Sequence, residues 1–186
     1  MNDQVTVTGV ERFFEPDEII VSKTDLKGAI TYANRVFLKI ADYTEQEVLG
    51  APHSIVRHPD MPRCVFKLLW DTIQAGNEIF AYVVNRAKNG DHYWVLAHVT
   101  PSFNASGTMI GYHSNRRVPD RKVLTETIIP LYQNLLQVEQ SNPNRKVGME
   151  ASFNTLVQAL EDMNLSYDEF IFSLGNSSEA PNAAAA

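Results

Sequence analysis

Three side chains with strong acid–base and anion-binding chemistry fall within four residues of the run RHPDMP at 57–62: Arg57, His58 and Asp60. Pro59 and Pro62 stiffen the same loop by fixing φ and removing backbone donors. Such a set suits a catalytic cluster, a metal site, or a loop that grips a group whose own atoms react. Arg57 offers a planar fork of donors matched to phosphate, and His58 can donate from either ring nitrogen. Asp60 can accept from a ribose hydroxyl or hold Arg57 in place. The simpler alternative has Asp60 capping a helix begun at Pro62 while Arg57 and His58 stay solvated.

The metal and catalytic readings find little support elsewhere in the chain. His53 and His58 are five apart in a stretch flanked by Pro52 and Pro59, His92 and His98 share one strand face, and Cys64 is the single cysteine. That is no ligand spacing for a structural metal. No nucleophile, base and orienting group stand at a workable spacing, so the chain reads as a non-enzyme. The histidines leave open a haem-binding domain with His53 or His58 as axial ligand.

Asn85 is a different kind of candidate. Strand alternation puts Ile79, Ala81, Val83 and Asn85 on one face of IFAYVVN, and Tyr93, Val95, Ala97 and Val99 on one face of HYWVLAHV. An amide buried among such neighbours needs partners, because an unmet polar group costs about 1–3 kcal/mol. Its adjacent donor and acceptor suit a planar heterocycle with carbonyl and ring-nitrogen edges. The opposite face carries Phe80, Tyr82, Trp94 and Leu96. That apolar face requires either a partner protein or the chain's own C-terminal helices to cover it.

Several elements must position these residues. EIIVSKTD and AITYAN read as strands joined by the turn DLKG. Asn34 is placed to cap a helix over NRVFLKIADY, and Thr44 with Glu47 forms a capping box for TEQEVLG. Pro62 starts the longest core helix, with Val65, Phe66, Leu69 and Ile73 on one face, and Gly76 stops it. Three strand-like stretches follow, separated by KNGD and NASG. The order is β β α α α β β β, an α+β fold with a five-stranded antiparallel sheet and helices on one side, plus C-terminal helices.

The expected boundaries are an N-terminal extension at 1–17, a core domain at 18–118, a helical extension at 119–174 and a disordered tail at 175–186. The first segment reads as mobile and anchored through Phe13 and Phe14. In the extension, Leu124, Ile128, Leu131, Leu135 and Val138 approximate one apolar stripe, and Pro130 must kink or restart the helix. The stripe fits packing within the chain, with a homodimer seam as the alternative. A net charge of −6 without a basic face speaks against nucleic-acid binding. The lone cysteine excludes a disulfide framework, and no apolar run reaches the length of a signal peptide or membrane span. A cytoplasmic protein without direct membrane insertion is expected.

The run from DLKGAITYAN through RHPDMP, with VNRAKNGDHYWV and GYHSNRR after it, closely resembles the FAD-binding PAS domain of the aerotaxis receptor (Aer) family, in its stand-alone, CetB-like form. The resemblance covers roughly residues 18–118. It implies a PAS fold with a flavin in the cleft between sheet and helices, held by Arg57, His58, Asp60 and Asn85, with Asn34 and Trp70 as further contacts. It also implies a redox sensor for energy taxis that signals in trans to a chemoreceptor or HAMP-type partner, and recruitment to a membrane receptor follows. Two positions depart from the pattern: Ile79 stands where many relatives place a tryptophan, and Ala41 and Asp42 precede Tyr43 in place of a glycine. The LOV-type adduct cysteine is missing, since residues 51–55 read APHSI. A PAS module without cofactor, serving only to dock a partner, is the reading from another class.

Overall fold

The computed structural model describes residues 6–176. The chain divides into two compact units, residues 1–119 and 120–186. The expected features at residues 1–5 and 177–186 lie outside the described residues.

In the first unit, β1 (Ile20–Thr24) and β2 (Ile30–Ala33) form a hairpin. Its turn is closed by the Asp25 carboxylate, which accepts from the backbone N–H groups of Lys27 and Ala29 at 2.8 Å each. Helix α1 (Arg35–Ala41) begins at Asn34 and α2 (Glu45–Val48) at Thr44, whose capping box with Glu47 is formed as the sequence implies. A 3-10 turn at His53–Val56 and helix α3 (Arg63–Gln74) follow. Then come the long strands β3 (Ile79–Arg86), β4 (His92–Phe103) and β5 (Met109–Arg117).

The five strands pair antiparallel in the order β2-β1-β5-β4-β3, so the last strand returns to lie beside the first. That crossover puts β5 in the centre of the sheet, where it is paired on both edges. Helix α3 buries Cys64, Val65, Leu69 and Ile73, and Phe37, Ile40 and Ala41 of α1 are buried with them. Ile79, Ala81, Val83, Asn85, Tyr93, Val95, Ala97 and Val99 are all buried, as alternation requires of an inward face.

On the opposite face, Tyr82 and Val84 are 2% exposed, and Phe80, Trp94 and Leu96 are half-buried. One expectation needs correction here. The N-terminal segment is fastened by its backbone and by Arg12, while Phe13 is 70% exposed. Arg12 donates its backbone N–H to the His92 carbonyl at 2.7 Å. Its guanidinium meets Asp91 at 2.8 Å and the Ile40 carbonyl at 3.1 Å. Further in, Thr8 donates its backbone N–H to the Gly90 carbonyl at 3.0 Å.

The second unit begins with α4 (Arg121–Val123), which runs through a π-helical turn at Leu124–Ile128 into α5 (Ile129–Gln140). Ile129 donates to the Leu124 carbonyl, five residues back. The register skip absorbs Pro130, which sits in the first turn of α5 and has no N–H to donate. The buried stripe is Leu124, Ile128, Tyr132, Leu135 and Glu139; Leu131 and Val138 are only half-buried. Helix α6 (Arg145–Asp162) packs on α5 at Gly148, where an added Cβ would lie 2.3 Å from the Glu139 carbonyl oxygen. Helix α7 (Tyr167–Asn176) ends the described chain.

Candidate functional site

The inward face of the sheet arranges its polar groups by register. Asn85 on β3 stands opposite Tyr93 on β4. On β5, Ser114 lies between Ser22 and Val99, and Arg116 lies between Ile20 and Ala97. Ala97 in turn faces Ala81, so on its β4 and β3 side Arg116 has only methyl side chains in its row. All of these residues are buried.

Three buried atoms on this face have no hydrogen-bond partner among the described residues: Asn85 Nδ2, Tyr93 Oη and Ser114 Oγ. Each unmet group costs about 1–3 kcal/mol, and native interiors seldom leave one unsatisfied. All three can donate, so they jointly favour an occupant rich in acceptors. A planar ring bearing carbonyl oxygens and ring nitrogens meets that demand, and the flavin implied by the motifs is such a ring. The residues present therefore fit the group.

Arg116 is the strongest charge on this face, and the sequence reading overlooked it. Its guanidinium donates to Ser22 Oγ at 2.7 Å and to His53 Nε2 at 2.6 Å, and it lies 5.6 Å from the Phe37 ring. Burial lowers its pKa to about 10, which leaves it charged at neutral pH. Burial first and Arg116 second press His53 down to about 3, so His53 is a neutral acceptor with its proton on Nδ1. With Nε2 taken by Arg116, His53 is not poised as an axial haem ligand. Burial raises the pKa of Tyr93, which keeps its hydroxyl protonated. Alternation along GYHSNRR puts Tyr112, Ser114 and Arg116 inward; an arginine in such a position was the signal available in the sequence.

The RHPDMP residues are partly gathered with this face. Arg57 forms an isolated antiparallel bridge with Asn85, and its guanidinium lies 4.4 Å from the Phe66 ring. His58 is 5% exposed and its ring centroid is 5.6 Å from that of His92. Its pKa is lowered, chiefly by burial, against a smaller opposing pull from Asp60. Asp60 donates its backbone N–H to His58 Nδ1 at 3.2 Å, while its carboxylate is largely exposed. The alternative in which Asp60 caps the helix is excluded: α3 starts after Pro62 with no side-chain cap.

Asn34 and Trp70 stand apart from that group. The Asn34 oxygen accepts from Phe37 and Val21 backbone N–H groups at 3.0 Å each, and its nitrogen donates to the Ile19 carbonyl at 2.7 Å. Both ends of the amide are thus committed to capping α1 and clamping it to β1. Trp70 meets Tyr112 edge-on, with centroids 5.5 Å apart, and lies over the hairpin turn at Gly28. Tyr112 is opposite Pro101, eight residues along β4 from Tyr93. At about 3.3 Å per strand residue the two ends are roughly 26 Å apart along the strand.

On the outer face, Phe80 stacks on His98 with centroids 4.1 Å apart, and His98 Nε2 lies 2.7 Å from a Glu78 carboxylate oxygen. Among the described residues no group of three potential metal-ligating side chains is present, and no helix is long and apolar enough to cross a membrane.

A family model described as the PAS fold matches residues 30–115. The aerotaxis receptor of Escherichia coli (strain K12) is 43% identical over 120 residues, which is 64% of this chain and 23% of the receptor. A nitrogen fixation regulatory protein of Klebsiella pneumoniae is 26% identical over 103 residues, 55% of this chain and 21% of that protein. The chain thus spans under a quarter of the length of these relatives. The solved PAS domain of a Colwellia psychrerythraea protein superimposes with a TM-score of 0.50 at 17% identity, over 54% of this chain and 86% of that one. Strand order, helical cover and these likenesses together make the first unit a domain of the PAS fold.

Proposed function

We propose that this PAS domain is a sensor that binds FAD against its inward sheet face and reports the redox state of that cofactor to a signalling partner in trans. The observation that carries the reading is the set of three orphaned donors, Asn85 Nδ2, Tyr93 Oη and Ser114 Oγ, on one buried face. The 43% identity to an aerotaxis receptor supports the same class of input. When bound, the flavin supplies reversible electron uptake. The chain's own residues do the rest: Asn85 and Tyr93 meet the acceptor edge of the ring, and Arg57 with His58 holds the phosphate-bearing arm near the start of α3. Asp60 orients His58 or a sugar hydroxyl, and Trp70 walls the far end.

Output runs through the strands that carry the ring contacts. Turning the Asn85 amide exchanges a donor for an acceptor at one point of β3. That strand presents Phe80 and Tyr82 on its other side, and its neighbour presents Trp94 and Leu96. A chemoreceptor or HAMP-type protein engaging this face would read the change.

The test is an absorption spectrum of the purified protein, with the released ligand identified by mass. Bands near about 450 nm and FAD on release are expected. A haem Soret band, or failure of the purified chain to take up added FAD, overturns the reading. Asn85→Ala should lower FAD affinity about tenfold, the loss of one well-placed buried hydrogen bond.

A further inference from the structure

The buried guanidinium of Arg116 has polar neighbours but no counter-ion. Ser22 and His53 are both neutral acceptors, and the Phe37 ring contributes only its π face. Among the described residues no carboxylate pairs with it, although Arg116 is 4% exposed. A fully buried charge normally takes an opposite charge as partner, because desolvation otherwise outweighs what neutral hydrogen bonds return. His53 cannot relieve this: it is kept neutral by the same burial and by the same guanidinium. Ser114, one row away on the same strand, adds an orphaned hydroxyl, and on the β4 and β3 side Ala97 and Ala81 leave only methyl groups in the row of Arg116.

We infer that Arg116, aimed by Ser22 and His53, is a ligand-holding residue that receives an anionic or acceptor-only edge of the molecule bound on this face. The inference rests on the FAD reading for the identity of that molecule. It adds a cation to a site otherwise made of neutral donors, so the site favours whichever form of the ligand carries negative charge on that edge. Ser22 and His53 are positioning residues: they fix the direction of the guanidinium and do not themselves supply charge.

Two readouts on the full chain separate this from the reading it rests on. The first is FAD affinity by fluorescence titration of the cofactor-free protein, for wild type, Arg116→Met and Arg116→Lys. Arg116→Met should bind FAD at least about tenfold more weakly, while Arg116→Lys, which keeps the charge, should lose less. Equal affinity in wild type and Arg116→Met overturns the inference and leaves the FAD reading standing. The second is the thermal midpoint of the cofactor-free protein. Removing an uncompensated buried charge for an apolar side chain of similar length should raise it by about 3 °C. A lower midpoint for Arg116→Met than for wild type shows that the charge is compensated within the chain and overturns the inference. If wild type takes no FAD, the FAD reading fails, and the midpoint alone decides for or against an uncompensated Arg116.

Discussion

His53 and His58 set an acid limit on the domain. Both have pKa values below the ordinary imidazole value of 6.5, His53 at about 3, so below about pH 6.5 the unfolded chain binds protons that the folded chain refuses. Stability is therefore complete above the unfolded pKa and is lost as pH falls toward the folded one, by about 1.4 kcal/mol per pH unit for His53, with His58 acting in the same direction. Urea midpoints measured between pH 7 and 5 should fall accordingly. His53→Gln, which retains an acceptor for Arg116, should flatten that fall by the contribution of one proton; an unchanged slope would show that His53 does not titrate on unfolding. At this scale the sequence was informative about Asn85, whose inward position follows from simple alternation. It was uninformative about Asn34, because a cap and a ligand contact ask for the same residue type, and only the geometry shows both amide ends taken by backbone. Arg116 went unseen for another reason: charge usually marks the surface, although alternation along GYHSNRR turns Arg116 inward with Tyr112 and Ser114.

Among the elements, the β3–β4 turn combines a left-handed backbone with a close approach of another segment. Gly90 has φ +99°, and an added Cβ would lie 2.2 Å from the Thr6 carbonyl oxygen. Gly90→Ala should cost about 1–3 kcal/mol through the left-handed backbone and the lost approach of the N-terminal segment. Hydrogen exchange at the Arg12 and His92 amides should speed up well before that of β5. Unaltered exchange at both amides would mean that the segment docks without this turn. The eight core elements were legible because hairpin turns, capping boxes and alternation all agree at short range. The 3-10 turn at His53–Val56 and the π turn at Leu124–Ile128 were not, since both are local adjustments made to accommodate packing and a proline.

At the scale of the molecule, the two units should respond separately to damage. Gly148→Leu drives a side chain into the Glu139 backbone, where there is no room for a Cβ. It should collapse exchange protection in residues 121–176 while protection in β1, β4 and β5 survives, because the sheet closes its own ladder within residues 20–117. Loss of protection in both units together would show a single cooperative structure. The order of strands is also read at this scale: five strands and their faces follow from the sequence, but the central place of β5 depends on a crossover that no local pattern specifies.

The fastening of residues 6–12 has a mechanical consequence. The segment is bonded at Gly90 and His92, and the Arg12 guanidinium ties Asp91 to the Ile40 carbonyl at the end of α1. His92 carries the ring that meets His58, and the next residue is Tyr93. A displacement of the N-terminal segment is thus passed both to the β3–β4 turn and to the end of α1, and a shift at either is returned along the same bonds.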